Sequence, residues 1–306
     1  MTGSTSLAIE YPPGKDHRHA SLHQDIHAAL TDALQNADSR GTLADAVDHH
    51  LSASGSYLRA RLGYQTARAL GVAHRDALIC ACISELLHNA SLIHDDVLDH
   101  DAVRRGQASV WHAWSEGVAI CLGDLFISAA YGVMAEFEHH AQRLPALLRL
   151  VHHHVHTTIY GQASSFTLAM QSTPDFDQYC QAACGKSGPL FALALEAPLI
   201  LAGHDQAIET ARQSALAFAT VYQLVDDIED HESDMADDQQ GVCNILHALN
   251  ARGDIAPLLS ARDYGRHRLA EARHIAMNLP EQSGQALIDE ANQLEARLVA
   301  VTGDSK

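Results

Sequence analysis

Apolar residues recur at three- and four-residue spacing along nearly the whole chain, and this periodicity restricts the possible folds more than any other feature. The spacing is that of amphipathic α-helices, and the segments that carry it are rich in the helix-favouring residues Ala, Leu and Gln. Alternating runs of Val, Ile and Thr are almost absent, and no Asn-Gly or Asp-Gly pair indicates a β-hairpin. The sequence therefore predicts an all-α protein.

The periodic segments and the residues that interrupt them outline a single helical domain of about a dozen helices. The clearest helices are predicted at 57–71, 76–99, 117–137, 143–160, 188–203, 207–231 and 281–300. Breaks are predicted at Gly71, at Gly106, around Pro145, at Pro174, from Gly185 to Pro189, across 232–241 and at Pro280. No low-complexity linker divides the chain, so we interpret residues 20–301 as one domain, with a flexible segment at 1–19 and a tail at 302–306.

The charge balance excludes some classes of partner. With 38 acidic and 20 basic residues, the formal net charge is −18 at pH 7, which repels nucleic acid and anionic lipid. No uninterrupted apolar run approaches the roughly 18 residues that cross a bilayer. The first residues lack the basic and apolar parts of a signal peptide. We therefore expect a cytoplasmic protein with no nucleic-acid partner and no transmembrane segment.

An aspartate cluster follows the apolar helix predicted at 76–99. Asp95, Asp96 and Asp99 have the order D-D-x-x-D, and their spacing puts Asp95 and Asp99 on one helix face. Carboxylates are unfavourable at this end of a helix, because the helix dipole is already negative there. Taken alone, so short a motif is also compatible with a solvated acidic face.

The same spacing recurs at Asp226, Asp227 and Asp230, again after a long apolar helix. Two such clusters indicate two helices whose acidic ends face each other across one apolar cavity. Opposed carboxylates repel unless cations lie between them, and a set of ligands made only of oxygen atoms suits Mg²⁺. Such ions are commonly shared with phosphate oxygens, so the missing ligand is predicted to be a polyphosphate.

Three basic side chains near the clusters can bind such a ligand: Arg104, Arg105 and Lys186. An apolar cavity below a metal-bound diphosphate fits a substrate with an apolar tail and a diphosphate head. The chemistry predicted for it is ionisation of an allylic diphosphate, with the departing diphosphate neutralised by metal and the cation kept away from water.

Several segments together resemble the trans-isoprenyl diphosphate synthase (polyprenyl synthetase) family, over most of the chain. They read ELLHNASLIHDDVLDHDAVRRGQASVWHAW, LGDLFISAAY, GKSGPLFALAL and YQLVDDIED. The resemblance implies a single-domain isoprenoid synthase fold, an all-α bundle around a central apolar cavity, and a homodimer. It implies three Mg²⁺ ions and the condensation of an allylic diphosphate with isopentenyl diphosphate to a longer trans-polyprenyl diphosphate.

The resemblance also implies a role for individual residues. The catalytic residues that it implies are Asp95, Asp96, Asp99, Asp226, Asp227, Lys186 and Gln223. The metal ligands would be Asp95, Asp99, Asp226 and Asp230. Arg104 and Lys186 would bind the allylic diphosphate, whereas Arg59, His88 and Arg105 would bind isopentenyl diphosphate, with Gln223 near the reacting end.

Two small residues of the first motif region bear on the length of the product. Ala90 and Ser91 precede Asp95 by five and four residues, where the family uses bulky aromatic residues to floor a short pocket. Small residues there imply a deeper pocket and a product of geranylgeranyl length or longer. On this interpretation Ala90→Phe shortens the product.

The sequence departs from the family where isopentenyl diphosphate would bind. The family's GGKRLRP-like stretch reads SGSYLRA here, so Ser56 replaces a lysine and Tyr57 an arginine, and Val242 replaces a lysine after the second motif. Charged hydrogen bonds contribute about 1.5–3 kcal/mol each, so this site is expected to be weakened. Three alternatives to plain elongation therefore stay open: a class I terpene synthase-like cyclase, a prenyltransferase with another acceptor, and a non-catalytic partner subunit of a heteromeric synthase.

Overall fold

The structure, a computed structural model, describes residues 16–35, 39–53, 55–169, 176–236 and 245–303. Within these ranges the protein is helical, as predicted, with one short antiparallel hairpin. The α-helices are Asp16–Leu34 (α1), Thr42–Ser52 (α2), Leu58–Ala69 (α3), His74–Leu98 (α4), Val110–Ala113 (α5), Glu116–Gly132 (α6), Leu144–Ala169 (α7), Phe176–Ala202 (α8), Ile208–Ala236 (α9), Ile245–Ala251 (α10), Pro257–Ala276 (α11) and Gln285–Thr302 (α12). The strands are Val103–Arg104 (β1) and Gln107–Ala108 (β2), and short 3-10 turns occupy Val133–Glu136, Ala141–Arg143, Asp205–Ala207 and Pro280–Gln282.

Helix α8 lies between two apolar cores and contributes to both. Leu190, Leu193 and Ala197 pack into a core formed with α1, α2, α4, α6 and the start of α7. Phe191 and Leu195 face a second core, formed with α3, α9, α11 and α12. A helix that is apolar on all sides is expected in the interior of a helical protein, and α8 therefore serves as the central element of the bundle.

The break predicted from Gly185 to Pro189 is wrong, because α8 continues through both Pro189 and Pro198. An interior proline removes a backbone hydrogen bond and costs about 3 kcal/mol. Nearly every residue from 190 to 201 is buried, and burial of apolar surface, at about 25 cal/mol per Å², outweighs that cost. The break predicted across 232–241 also begins too early, since α9 continues to Ala236. The rest of that break and the one at Pro174 lie outside the described residues.

The predicted domain limits differ slightly from the ends of the terminal helices. Helix α1 begins at Asp16, inside the segment 1–19 that the sequence assigns to a flexible lead-in, and residues 1–15 lie outside the described part. Helix α12 ends at Thr302, one residue beyond the predicted domain end, and residues 304–306 of the predicted tail are also outside it. Helix α1 carries only a sparse apolar stripe, of which Ile26 and Leu30 are fully buried.

Three helical stretches are long and apolar enough to cross a membrane, judged by length and composition alone. They are α4, the run Glu116–Glu136, and α8, and 72%, 44% and 78% of their apolar windows are buried inside the protein. Packing within the bundle therefore accounts for most of the apolar character of α4 and α8. The expectation of no transmembrane segment stays a prediction.

A buried carboxylate near the C-terminal end of α8 pairs with side chains of two other helices. Glu196 is fully buried and its Oε2 lies 2.8 Å from Nε2 of His154 on α7. Arg212 of α9 donates from Nε to Glu196 Oε1 at 2.9 Å. A buried charge is tolerated only when it is paired and hydrogen-bonded, and both conditions hold here.

We predict that Glu196→Ala lowers the free energy of unfolding by about 2–3 kcal/mol, because it removes the partner of the buried His154 and the buried carboxylate that pairs with Arg212. Urea unfolding followed by circular dichroism measures this loss. The matched control is Glu209→Ala, since Glu209 pairs with the same arginine at 3.0 Å but is 64% exposed. The control is expected to cost less than about 1 kcal/mol, and equal losses in the two variants would contradict the assignment.

Candidate functional site

The first aspartate motif lies where α4 ends. Asp99 caps the helix, and its backbone N–H donates to the carbonyl of Asp95 at 2.8 Å. Asp96 is only 2% exposed, whereas Asp99 is exposed. Desolvation by the surrounding protein raises the pKa of both Asp96 and Asp99, against the opposing effect of nearby cations. The three carboxylates of this motif therefore differ in environment, although the sequence pattern treats them alike.

The hairpin after α4 returns one of the two arginines to the motif. Arg104 on β1 donates from Nε to Asp96 Oδ1 at 2.8 Å and also donates from Nη2 to the same oxygen. A second carboxylate, Asp101, lies 3.5 Å from Arg104 Nη2. The structure therefore pairs Asp96, predicted as catalytic, with Arg104, predicted to bind the allylic diphosphate.

The other arginine occupies the turn of this hairpin. Arg105 and Gly106 both have positive φ, 52° and 80°, which matches the right-handed twist of a tight hairpin but is uncommon for a residue with a side chain. Arg105 donates from Nη1 to the carbonyl of Ala53 at 3.1 Å. Its guanidinium lies over Gly55, where a Cβ atom would be 2.6 Å from Arg105 Nη2. The two neighbouring arginines thus point to different elements, and together with His49 and His50 they line a small cavity beside α2.

Two adjacent residues of α8 connect the two aspartate motifs. Lys186 Nζ lies 3.3 Å from Asp95 Oδ2 of the first motif. Ser187 donates from Oγ to Gln223 Oε1 at 2.9 Å, and Gln223 donates from Nε2 to Asp227 Oδ1 of the second motif at 2.8 Å. The aspartate motifs of α4 and α9 therefore both contact one turn of α8 through these side chains.

A close contact between two glycines sets the position of this turn. A Cβ atom on Gly161 of α7 would be 2.5 Å from the carbonyl carbon and oxygen of Gly185, so the two backbones touch. Gly185 directly precedes Lys186. The absence of a side chain at Gly161 lets α7 hold α8 at the depth where Lys186 reaches Asp95.

Other elements hold the second motif, and they include residues that the sequence analysis missed. The hydroxyl of Tyr179 on α8 donates to Asp227 Oδ2. Tyr179 is seven residues before Lys186, two helical turns along the same face, so spacing predicts the shared face but not the contact with Asp227. Arg297 on α12 lies 3.4 Å from Asp226, which is 71 positions away in the chain, and no local pattern relates the two. The side chain of Asp230 lies outside the described part.

Arg59 and His88 lie together beneath the site. Arg59 is 6% exposed, donates from Nη1 to His88 Nε2 at 3.1 Å, and places its guanidinium carbon 4.0 Å from the ring centre of Phe191. Burial, followed by the charges of Arg59 and Arg105, lowers the pKa of His88 well below its ordinary value. Since a guanidinium only donates, His88 Nε2 accepts, and the neutral ring carries its proton on Nδ1.

Residues 56 and 57, where the family has basic residues, offer no positive charge. Tyr57 is 2% exposed, and its ring lies 4.5 Å from that of His23 on α1, with its hydroxyl 2.9 Å from His27 Nδ1. Its φ of 49° turns the side chain toward α1 at the start of α3. Ser56 is exposed, and Val242, the third departure, lies outside the described residues.

The two small residues of α4 have different environments. Ala90 is 2% exposed and belongs to the core shared with α1, α2 and α6. Ser91 is half-buried, donates from Oγ to the carbonyl of His88 at 2.8 Å, and lies one helical turn before Asp95 on the same face. Of the two, Ser91 is therefore the residue better placed below the acidic end of α4.

A chain of buried polar groups supports α4 from behind. His50 Nε2 on α2 lies 3.0 Å from Asn89 Oδ1, and Asn89 donates from Nδ2 to the carbonyl of Glu85 at 2.8 Å. Glu85 is 2% exposed, and burial raises its pKa. Burial lowers the pKa of His50 to about 4. The folded protein thus keeps His50 neutral, and its stabilising effect is complete above the unfolded value of about 6.5 and is lost as the pH falls through about 4.

We predict that wild type loses about 3 kcal/mol more unfolding free energy than His50→Gln between pH 7.5 and pH 4, because glutamine keeps a donor for Asn89 but cannot be protonated. Urea unfolding of both proteins at a series of pH values measures the difference. Parallel pH profiles for the two proteins would show that His50 is not held neutral.

The carboxylates of the two motifs are suited to a hard divalent cation. Asp95, Asp99 and Asp226 supply only oxygen atoms, and no thiolate or imidazole competes with them in either motif. Among the side chains that the structure describes, no group of three or more His, Cys, Asp and Glu residues is placed to hold a metal ion. The fit to a hard cation therefore rests on the oxygen chemistry of the motifs, since such cations also take ligands from water and from anions.

Comparison with known proteins identifies relatives of this arrangement. A model of the polyprenyl synthetase family matches residues 40–247. An all-trans-nonaprenyl-diphosphate synthase (geranyl-diphosphate specific) of Rhodobacter capsulatus is 31% identical over 219 residues, which cover 70% of this chain and 65% of that protein. The geranylgeranyl diphosphate synthase of Mycobacterium tuberculosis is 32% identical over 219 residues, which cover 68% of this chain and 62% of that protein. The matched region thus spans less than two thirds of each of these relatives.

Solved structures with the same fold cover nearly the whole chain. The crystal structure of a polyprenyl synthase from Caulobacter crescentus, complexed with calcium and isoprenyl diphosphate, aligns with a TM-score of 0.78. The alignment has 20% identity and covers 91% of this chain and 95% of that one. This likeness confirms the all-α isoprenoid synthase fold predicted from the sequence.

Proposed function

This chain belongs to the polyprenyl synthetase family, and we propose that it is a prenyltransferase that lengthens an allylic diphosphate with isopentenyl diphosphate. In the proposed reaction the bond between C1 and oxygen of the allylic diphosphate breaks, and its electron pair leaves with the diphosphate. The double bond of isopentenyl diphosphate attacks the resulting cation. A proton then passes to the released diphosphate, which leaves a longer trans-polyprenyl diphosphate.

The observation that carries this proposal is the meeting of both aspartate motifs at one turn of α8. Lys186 reaches Asp95, and Ser187 reaches Asp227 through Gln223. Acidic groups on both sides of one turn are stabilised by cations that bind between them, and a diphosphate would satisfy those cations in turn. A solvated acidic surface, the alternative for either motif alone, does not require the two motifs to meet.

We propose Mg²⁺ as the metal, three ions in all, with Asp95 and Asp99 as ligands on one side and Asp226 and Asp230 on the other. When bound, Mg²⁺ stabilises the negative charge of the departing diphosphate. The Caulobacter relative was solved with calcium, another hard divalent cation that prefers oxygen ligands. This supports the choice of a hard cation and leaves its identity and number as part of the proposal.

The protein's own side chains bind and orient the substrates in this proposal. Lys186 exchanges Asp95 for an oxygen of the allylic diphosphate, a move that its half-exposed ammonium group permits. Arg104, which has two N–H donors on Asp96, is the second cation proposed for the same diphosphate. Gln223, held by Ser187, keeps its amide near the reacting end. Apolar side chains of the two cores around α8 exclude water from the cation.

The acceptor side is held by fewer charges than the allylic side. Arg59 lies buried under His88, and residues 56 and 57 are neutral. Arg105 is therefore the exposed cation proposed for isopentenyl diphosphate, with His88 donating from Nδ1. Because each charged hydrogen bond to phosphate contributes about 1.5–3 kcal/mol, we expect a high KM for isopentenyl diphosphate and an ordinary KM for the allylic substrate.

An assay with geranyl, farnesyl and geranylgeranyl diphosphates tests the function. With Mg²⁺ and isopentenyl diphosphate, wild type is expected to form longer diphosphates, and Asp95→Asn and Asp226→Asn are each expected to reduce turnover by at least about 100-fold through lost stabilisation of the leaving group. The control is Asp205→Asn, an exposed aspartate that pairs with Arg143 away from the site.

Each other outcome of the same assay contradicts part of the proposal. Hydrocarbons or alcohols formed without isopentenyl diphosphate would identify a cyclase-like enzyme, and prenylation of another added acceptor would identify a different transferase. Release of no diphosphate under any condition would identify a non-catalytic subunit. Near-normal turnover of both aspartate variants would reject the site itself.

We predict that Ser91→Phe shortens the product, because Ser91 lies about 6 Å along α4 from Asp95 and a phenyl ring there would floor the apolar cavity predicted from the sequence. The proposed product of wild type has geranylgeranyl length or more. Chromatography of the hydrolysed products measures chain length, with Ser91→Ala as the small-residue control. Ala90→Phe is a poorer test than the sequence indicates, since Ala90 is buried in the core. A folded Ser91→Phe enzyme with unchanged products would contradict the deep-pocket interpretation.

The homodimer and the cytoplasmic location inferred from the sequence also belong to this proposal. The expected partners are the two diphosphate substrates, with no nucleic acid and no membrane span. Sedimentation of the purified protein distinguishes a dimer from a monomer.

A further inference from the structure

The second aspartate motif has a cation supplied by the C-terminal helix. The Nη2 atom of Arg297, on α12, is 3.4 Å from Asp226 Oδ1 and 2.7 Å from Glu229 Oε2. Its guanidinium carbon is 5.9 Å from the ring centre of Tyr222. The side chains of Arg297, Asp226 and Glu229 are 34%, 35% and 38% exposed, so all three can change partners without unfolding the protein.

The contacts of Arg297 are unequal. Glu229 receives two of its N–H groups, from Nη2 at 2.7 Å and from Nε at 3.4 Å, whereas Asp226 Oδ1 receives Nη2 at the longer distance of 3.4 Å. Arg297 can therefore leave Asp226 and keep a full partner. A buried or singly paired arginine would lose its counter-charge on the same movement.

We propose that Arg297 is a positioning residue that neutralises Asp226 until a divalent cation binds there, and that it then moves entirely to Glu229. The inference rests on the proposed function, in which Asp226 is a metal ligand. Two cations cannot share one carboxylate at short range without repulsion, so binding of the ion and the contact between Arg297 and Asp226 compete. Because Arg297 belongs to α12, this competition links metal binding to the seating of the C-terminal helix.

Arg297 differs from Lys186, the cation that pairs with the first motif. Lys186 also pairs with an aspartate proposed as a ligand, Asp95, but Lys186 is needed afterwards by the diphosphate. Arg297 has Glu229 as its second partner and no proposed contact with substrate. Its removal therefore affects the metal at Asp226 without removing a group that binds diphosphate.

The test is a titration of the full-length protein with Mn²⁺, followed by calorimetry and by the electron paramagnetic resonance signal of the free ion. Removing a competing cation of this exposure is expected to tighten Mn²⁺ binding about twofold to fivefold in Arg297→Gln. Arg297→Lys, which keeps the charge, is expected to stay close to wild type. The matched control is Arg266→Gln. Arg266 of α11 pairs at 3.2 Å with Glu295, which is on α12 like Arg297 but away from the motif.

A second variant separates this inference from the proposed function. Asp226→Asn is expected to lose the Mn²⁺ site that Arg297→Gln tightens, and if it leaves all Mn²⁺ binding unchanged, Asp226 is not a ligand and the metal assignment itself fails. If Asp226→Asn loses the site while Arg297→Gln and wild type bind Mn²⁺ equally, only the role of Arg297 is overturned. If neither wild type nor Arg297→Gln binds Mn²⁺, the role of Arg297 is overturned as well. Thermal melting without metal checks that each variant is folded. The melting temperature is expected to be slightly lower for Arg297→Gln than for Arg266→Gln.

Discussion

Electrostatic repulsion among the carboxylates of the two aspartate motifs is the constraint on which the site depends. The described carboxylates are stabilised by groups from other elements: Lys186 for Asp95, Arg104 for Asp96, and Arg297 for Asp226. Every one of these partners comes from an element other than the helix that carries the aspartate. The acidic groups are therefore stabilised by the fold, in which other elements supply the opposite charge.

The position of α8 turns this electrostatic balance into a defined geometry. Glycine contact at Gly161 and Gly185 brings α7 and α8 together immediately before Lys186. Apolar burial on both faces then holds the helix through Pro189 and Pro198. Packing therefore positions Lys186 near the first motif and the hydroxyl of Tyr179 near the second. The polar contacts form on a helix whose position is already set by apolar burial.

The two halves of the site differ because the groups around them differ. On the allylic side, Lys186 and Arg104 are at least partly accessible and already close to carboxylates. On the acceptor side, Arg59 is buried and stacked on Phe191. Tyr57, which stands where the family has an arginine, is buried against α1. A change from a charged to a neutral residue at the start of α3 therefore alters both the packing of α1 and the charge available to a ligand.

The sequence by itself determined the helical class, most of the long helices and the residues of both motifs, because apolar periodicity and i, i+4 spacing are local properties that need no partner. It also determined, by resemblance, that the motifs belong together. Only the tertiary structure decided that α8 runs through its prolines, that Arg59 is buried, and that Tyr179 and Arg297 hold the second motif. Those outcomes depend on contacts between residues far apart in the chain, where burial and pairing outweigh local preference, and no pattern within a single segment records them.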